Sequence, residues 1–191
     1  MLLVAITPEI TLPDEPRRIA MLLDAGFDAI HIRKPGISDD DMRRYVEKLP
    51  PRLLPGITLG DCLHLAQEYD AGGVHLNSRC PSAPESFKGR VSRSCHCREE
   101  VMEAAAMSYV FLSPIFDSIS KQGYKAAFPL QQLRMIALEA PVAVVGLGGV
   151  TARNMPLLRE AGLSGAAFLG YLFATDIEQM KQRIKLITNN I

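Results

Sequence analysis

Short apolar runs alternate with amphipathic stretches about eight times along this 191-residue chain, and that beat constrains the fold more than any single motif. The runs Leu2 to Ile6, Phe27 to Ile32, Ile57 to Leu59, Gly73 to Leu76, Arg90 to Ser94, Tyr109 to Leu112, Val142 to Val145 and Gly165 to Leu169 read as strands. They are short and rich in apolar, often β-branched residues, as strands covered on both faces are. Between them lie helical patterns. Pro13 to Ala25 carries Ile19, Leu22 and Leu23 and stops at Gly26; Ser38 caps a helix with Met42, Tyr45, Val46 and Leu49, which Pro50, Pro51 and Pro55 end. Leu63 to Tyr69, Arg98 to Met107, Pro129 to Leu138, the stretch from Thr151 to Ala161 and Asp176 to Ile187 complete the set, with a weak helical signal at Pro84 to Phe87 and a long loop from Ser113 to Phe128. Strand–helix alternation on this scale demands a parallel sheet, and eight units close on themselves. The fold class expected is therefore α/β: one (β/α)8 TIM barrel over residues 1–191, parallel and eight-stranded, leaner than the usual size of about 250 residues. An open doubly wound sheet is the competitor, but eight units leave nothing over. The C-terminal strand ends Ile6, Arg33, Leu76, Leu112, Gly146 and Leu169 are expected at one mouth.

The segment PVAVVGLGGVT, Pro141 to Thr151, joins an apolar strand to Gly146, Gly148 and Gly149 and then to Thr151, which stands where a helix N-cap belongs. Glycines let a backbone approach a ligand closely, and free N–H groups at a helix start attract an anion. Phosphate is the natural guest.

Twenty-one basic and 21 acidic side chains give no global bias towards nucleic acid or membrane. No apolar run reaches the roughly 18 residues that span a bilayer, and MLLVAITPE turns polar too soon for a signal peptide. Cys62, Cys80, Cys95 and Cys97 are expected reduced, in a cytoplasmic protein. Cys95, His96 and Cys97 are zinc-type residues, but on a strand the two thiols share a face that His96 does not, so a tetrahedral site is not expected.

In such barrels the chemistry sits at the C-terminal ends of the strands. Here those ends deliver Thr7; His31 and Arg33; Gly60 and Asp61; His75 and Asn77; Ser94 and His96; Ser113, Ser118, Ser120 and Lys121; Gly148 and Gly149; and Gly170. Together they make a ring suited to phosphate with one carboxylate. Arg33 and Lys121 offer the charge a pyrophosphate needs, Asp61 a hard oxygen for magnesium, and the glycine turns after strands seven and eight the usual barrel phosphate site. Taken singly, each could be a loop residue or cap; Arg33, for one, could simply pair with Asp61.

The stretches IHIRK at 30–34, LGDCLHLAQEYDAGGVHL at 59–76, SRSCHCREEV at 92–101, YVFLSPIFDSISKQG at 109–123 and VVGLGGVTARNM at 144–155 resemble the thiamine-phosphate synthase family and its sister thiazole tautomerases. The resemblance implies the same barrel and a transferase of thiamine biosynthesis, joining a hydroxymethylpyrimidine diphosphate to a thiazole phosphate with loss of pyrophosphate and with Mg2+. By it, Arg33, Ser94 and Lys121 are diphosphate contacts with a catalytic role and Asp61 a metal ligand. Ser118, Ser120, Gly148, Gly149 and Gly170 face the thiazole phosphate, and His31 and Gly60 lie on the pyrimidine side. The partners implied are those two small phosphorylated substrates, with a second copy of the chain as a further candidate and neither nucleic acid nor membrane.

The chain also departs from the family pattern. Cys80 stands at the second magnesium Asp, Gly60 at an Asn, and Pro35 at a Lys for which Lys34 could reach from one position earlier; Pro114 stands where the tautomerases place an acid–base His. A thiol is a poor magnesium ligand. Two alternatives thus stand beside the synthase: an isomerase of a thiazole phosphate, using His31, His75 or His96 as proton carrier, and a non-catalytic binder of phosphorylated ligands.

Overall fold

The computed structural model of the chain describes residues 1–116 and 128–190. Eight parallel strands close into a barrel: β1 (Leu2–Ile6), β2 (Ala29–Ile32), β3 (Ile57–Leu59), β4 (Gly73–Leu76), β5 (Arg90–Cys95), β6 (Tyr109–Leu112), β7 (Ala143–Gly146) and β8 (Gly165–Phe168). Each pairs with the next, and β8 returns to β1 through Leu2↔Gly165, Leu3↔Ala166, Val4↔Ala167 and Ala5↔Phe168. That last ladder excludes the open sheet. The helices are α1 (Glu15–Asp24), α2 (Asp39–Val46), α3 (Leu65–Glu68), α4 (Arg98–Met102), α5 (Leu130–Glu139), α6 (Met155–Glu160), α7 (Gly170–Phe173) and α8 (Ile177–Thr188).

Successive strand residues face opposite ways, so each run feeds two cores. Leu3, Ala5, Ile30, Ile32, Val110 and Val144 point outward and are covered by helix residues such as Ile19, Leu22, Leu133, Leu158 and Ile184. Val4, Ile6, Ala29, Tyr109, Phe111, Val145 and Ala167 form a separate cluster inside the barrel. The register sets His31 beside Ile6 and Thr58 beside His31, and His75, Ser92 and Tyr109 in one row. On β3 to β5 the interior is thus polar or small. Gly73 is part of this fit, because a Cβ there would lie 2.7 Å from Thr58 Oγ1.

Three elements differ from the expectation. The helix after β5 ends at Met102 rather than Met107: Ala104 and Met107 donate to carbonyls three residues back, and Ser108 N–H already bonds Val91 O to start β6. Thr151 is not an N-cap. A helix running from there would put the ring of Pro156 against the carbonyl of Ala152; instead α6 begins at Met155 with Pro156 in its first turn, where proline is tolerated. Finally, β5 stops at Cys95, which is buried, and Cys97 occupies the N-cap position of α4. The caps by Ser38, accepting from Asp41 N–H, and by Asp176, accepting from Gln179 N–H, are as the sequence indicates.

Lys34 does not reach the mouth. Its ammonium is buried between the barrel and α1, 2.8 Å from Glu15 Oε1 and donating to Pro8 O at 2.6 Å, with the Tyr45 hydroxyl on the same carboxylate. Burial pulls the Lys34 pKa below its ordinary value, and the carboxylate offsets part of that. Removing one partner of such a pair strands the other charge in a dry environment, at about 3 kcal/mol or more. Glu15→Gln is therefore expected to lower the unfolding free energy by about that amount in urea titrations. A loss under about 1 kcal/mol would show that water reaches Lys34.

Candidate active site

The C-terminal strand ends open into a cavity of about 690 Å3. Its floor is the upper interior layer of the barrel, with His31, His75, Phe111 and Ala167 among its lining. The two imidazoles lie 5.0 Å apart, edge to face, and 4.8 and 5.1 Å from the Phe111 ring. His31 Nε2 bonds the Tyr109 hydroxyl at 2.5 Å; His75 Nδ1 meets Ser92 Oγ at 2.9 Å and Nε2 meets Ser94 Oγ at 3.1 Å. Burial, followed by the charges of His75 and Arg90, holds the pKa of His31 well below its usual value, and burial pulls His75 down to about 4. Both rings are neutral near pH 7, each with one N–H and one lone pair. The floor is thus aromatic and uncharged yet able to hydrogen-bond, which suits a flat heteroaromatic ring.

One wall is the turn after β7. Gly148 and Gly149 have φ of +96° and +64°, a region that glycine enters without cost. A Cβ on Gly148 would stand 3.0 Å from Pro114 Cα. The N–H groups of Gly148, Gly149 and Val150 find no acceptor among the described residues, and all three residues line the cavity. Beyond them Asn154 closes the turn, its Oδ1 accepting from Thr151 N–H at 2.7 Å and its Nδ2 donating to Gly149 O at 2.9 Å. The N–H groups without an acceptor are therefore those of the glycine turn itself, ahead of the helix start. Beside it Gly170 opens α7, a four-residue helix that the sequence did not signal. The N–H groups of Gly170 and Tyr171 find no acceptor among the described residues, and both residues line the cavity.

The opposite wall is ionic. Arg33, 39% exposed at its side chain, pairs with Glu9 at 2.5 Å, and its backbone N–H is held by Thr7 Oγ1 at 3.0 Å. Asp61 does not pair with Arg33. Its Oδ1 receives Arg79 Nε at 3.0 Å and Nη2 at 2.9 Å, while Oδ2 is enclosed with no hydrogen-bond partner. Asn77 braces this side, donating to Gly60 O at 2.6 Å and accepting from the N–H groups of Arg79 and Cys80 at 2.9 and 3.3 Å. The structure therefore brings His31, Arg33, Gly60, Asp61, Ser94, Gly148, Gly149 and Gly170 to one cavity. Ser118, Ser120 and Lys121 lie outside the described residues. Glu9 and Arg79 were missed; each sits in a loop one or two turns past a strand, where no spacing marks it.

Comparison with known proteins places the chain in a family and supports its fold. A family model described as thiamine monophosphate synthase matches residues 3–172. The thiamine-phosphate synthase of Latilactobacillus sakei subsp. sakei is 27% identical over 181 residues, covering 86% of this chain and 80% of the relative. That of Syntrophomonas wolfei subsp. wolfei is 30% identical over 139 residues, covering 69% and 66%. The crystal structure of thiamine phosphate pyrophosphorylase from Bacteroides thetaiotaomicron superimposes with a TM-score of 0.86 at 28% identity, over 100% of this chain and 97% of that one.

The two neutral imidazoles set a pH dependence. His75 titrates near 6.5 when unfolded and at about 4 when folded. Between those values the unfolded chain binds a proton that the folded chain refuses, so stability falls as pH drops through that window. For His75 alone the loss is about 2 kcal/mol between about pH 7 and about pH 5. Urea titrations at the two pH values measure it, and equal midpoints would show that the ring takes its proton inside the cavity.

Proposed function

The chain belongs to the thiamine monophosphate synthase family, and from that premise we propose that its cavity joins a hydroxymethylpyrimidine diphosphate to a thiazole phosphate with release of pyrophosphate. The observation that carries the reading is the pairing of two polar walls across one aromatic floor: backbone N–H groups at Gly148, Gly149 and Val150 that have no acceptor among the described residues on one side, and the arginines on the other. Two phosphorylated rings fit that division. The glycine turn and Gly170 take the thiazole phosphate. The floor of His31, His75 and Phe111 receives the pyrimidine, with Gly60 beside it. Arg33 and Ser94 take the diphosphate, as Lys121 would from the segment after β6.

In the reaction the bond from the pyrimidine methylene carbon to the diphosphate oxygen breaks, and its electron pair leaves with the pyrophosphate. The thiazole nitrogen gives its lone pair to the resulting cation. No protein group needs to transfer a proton. The protein's part is to hold two rings face to face and stabilise charge as it forms on the leaving group. A floor of neutral imidazoles suits a cationic carbon, because a protonated ring beside it would repel the charge that develops.

The family's reaction uses magnesium, and the residues here do not fit the ion. Asp61 presents Oδ1 to a guanidinium and encloses Oδ2, the second position is the thiol of Cys80, and among the described residues no group of three His, Cys, Asp or Glu is arranged to hold a metal. No step of this reading passes through it. For the isomerase alternative, the lowered pKa values of His31 and His75 make both weak bases, which leaves His96, with Nδ1 on Ser113 O, as its candidate proton carrier among the three.

Incubation of the chain with both phosphorylated substrates is expected to release pyrophosphate and thiamine phosphate in equal amounts; consumption of neither substrate overturns the reading. Arg33→Ala is expected to slow turnover at least about tenfold, the loss of a charge-assisted bond worth roughly 1.5–3 kcal/mol. Gly148→Val forces a side chain into a positive-φ position against Pro114 and is expected to weaken thiazole phosphate binding at least about tenfold. Unchanged affinity in a folded variant removes the glycine turn from the site.

A further inference from the structure

The departure at the metal position has a counterpart in the structure. Where two carboxylates would hold a divalent cation, one carboxylate and one guanidinium already face each other. Asp61 is 5% exposed, and both Nε and Nη2 of Arg79 converge on its Oδ1 at 3.0 and 2.9 Å. A hydrated magnesium ion approaching Oδ1 would meet the cation already there, and Oδ2 is shut off from the cavity. Magnesium gives up its waters reluctantly, so an enclosed oxygen is not open to it.

Arg79 is also positioned to do what that ion would. Its side chain is 45% exposed and lines the same cavity as Arg33 and Ser94. With Nε and one N–H of Nη2 engaged, Nη1 has no partner among the described residues, which leaves three of the five N–H groups of the planar fork for a ligand. The loop that carries it is closed by Asn77 N–H to Cys80 O at 3.0 Å and Cys80 N–H to Asn77 O at 3.1 Å. The Asn77 side chain fastens that loop to the Gly60 carbonyl. A guanidinium fixed in this way loses little further freedom on binding an anion.

We propose that Arg79, docked on Asp61, is the cation that receives the substrate's diphosphate in this chain, in the place a magnesium ion would take. Asp61 is then a positioning residue: it orients the guanidinium from behind and contacts neither substrate nor metal. This rests on the reading of the arginine wall as the diphosphate site.

The test is binding of inorganic pyrophosphate to the full chain by calorimetry, with excess EDTA and then with excess Mg2+, corrected for the ion's own complex with pyrophosphate. The wild type is expected to bind in EDTA and to gain no more than about twofold from Mg2+. Arg79→Ala is expected to lose at least about tenfold in EDTA, ~1.4 kcal/mol, and Arg79→Lys, which keeps the charge but not the fork, to fall between. Arg79→Gln, which keeps a hydrogen bond to Asp61 without the charge, is checked for a cooperative thermal transition that shows it folded at the assay temperature, and is expected to lose as much as the Ala variant. Wild-type binding that requires Mg2+ overturns the inference and leaves the diphosphate reading intact. Equal affinity in the wild type and Arg79→Gln also overturns it, because Arg79 then only caps Asp61. Absence of pyrophosphate binding with and without Mg2+ removes both the inference and the reading on which it rests.

Discussion

A closed barrel of short strands must fill its own interior, and everything at this site follows from how that is done. Eight strands of three to six residues supply only a few inward side chains each. Branched aliphatics on β1 and β7 and aromatics on β6 fill one half. The other half receives Thr58, His75, Ser92 and Ser94, with Gly73 leaving room for the threonine. A dry, unpaired imidazole is costly, so His31 bonds the Tyr109 hydroxyl and His75 bonds Ser92 and Ser94. The result is a floor whose imidazoles are satisfied, while Thr58 Oγ1 is buried without a hydrogen-bond partner among the described residues. It presents ring faces and edges to the cavity without presenting charge, and the same burial that makes it solid keeps both histidines neutral.

The fold was legible in the sequence because it depends on repetition. Eight apolar runs with eight intervening stretches have one economical closure, and the strand positions survive within a residue or two. What failed was local. The position of Pro156 decides that α6 starts at Met155, and it outweighed a plausible cap at Thr151. The helix after β5 was overextended because Ala104 to Ala106 favour helix, while the demand to begin β6 at Tyr109 cut it to one turn. The four-residue helix at Gly170 is too short for any periodicity to reveal.

The site was legible at the strands and opaque in the loops. His31, Arg33, Asp61, Ser94 and the glycines stand at or just after strand ends, where parallel register fixes their side of the barrel. Lys34 shows the same rule from the other side: one residue beyond Arg33, it points outward to Glu15, so no exchange of neighbours could bring it to the mouth. Arg79 and Glu9 lie on loops whose course depends on contacts between distant segments. Nothing within the sequence of 77–80 states that its arginine will find Asp61, eighteen positions earlier.

The two ion pairs at the mouth share a design. Arg33, after β2, is held by Glu9, after β1; Asp61, after β3, is held by Arg79, after β4. Each joins neighbouring strand ends across a loop, so each long side chain is ordered by the fold itself. The Arg33–Glu9 pair, exposed on both sides, contributes little to stability. Its value lies in the arginine's remaining N–H groups, which are aimed before any ligand arrives. An ordered guanidinium loses less rotamer freedom on meeting a phosphate than a free one would. Neutralising the arginine in advance weakens its long-range pull on an anion but leaves its short-range donors intact. Such a wall would discriminate by geometry more than by charge, which is what the proposed reading asks of a site that seats a diphosphate in one orientation above a neutral aromatic floor.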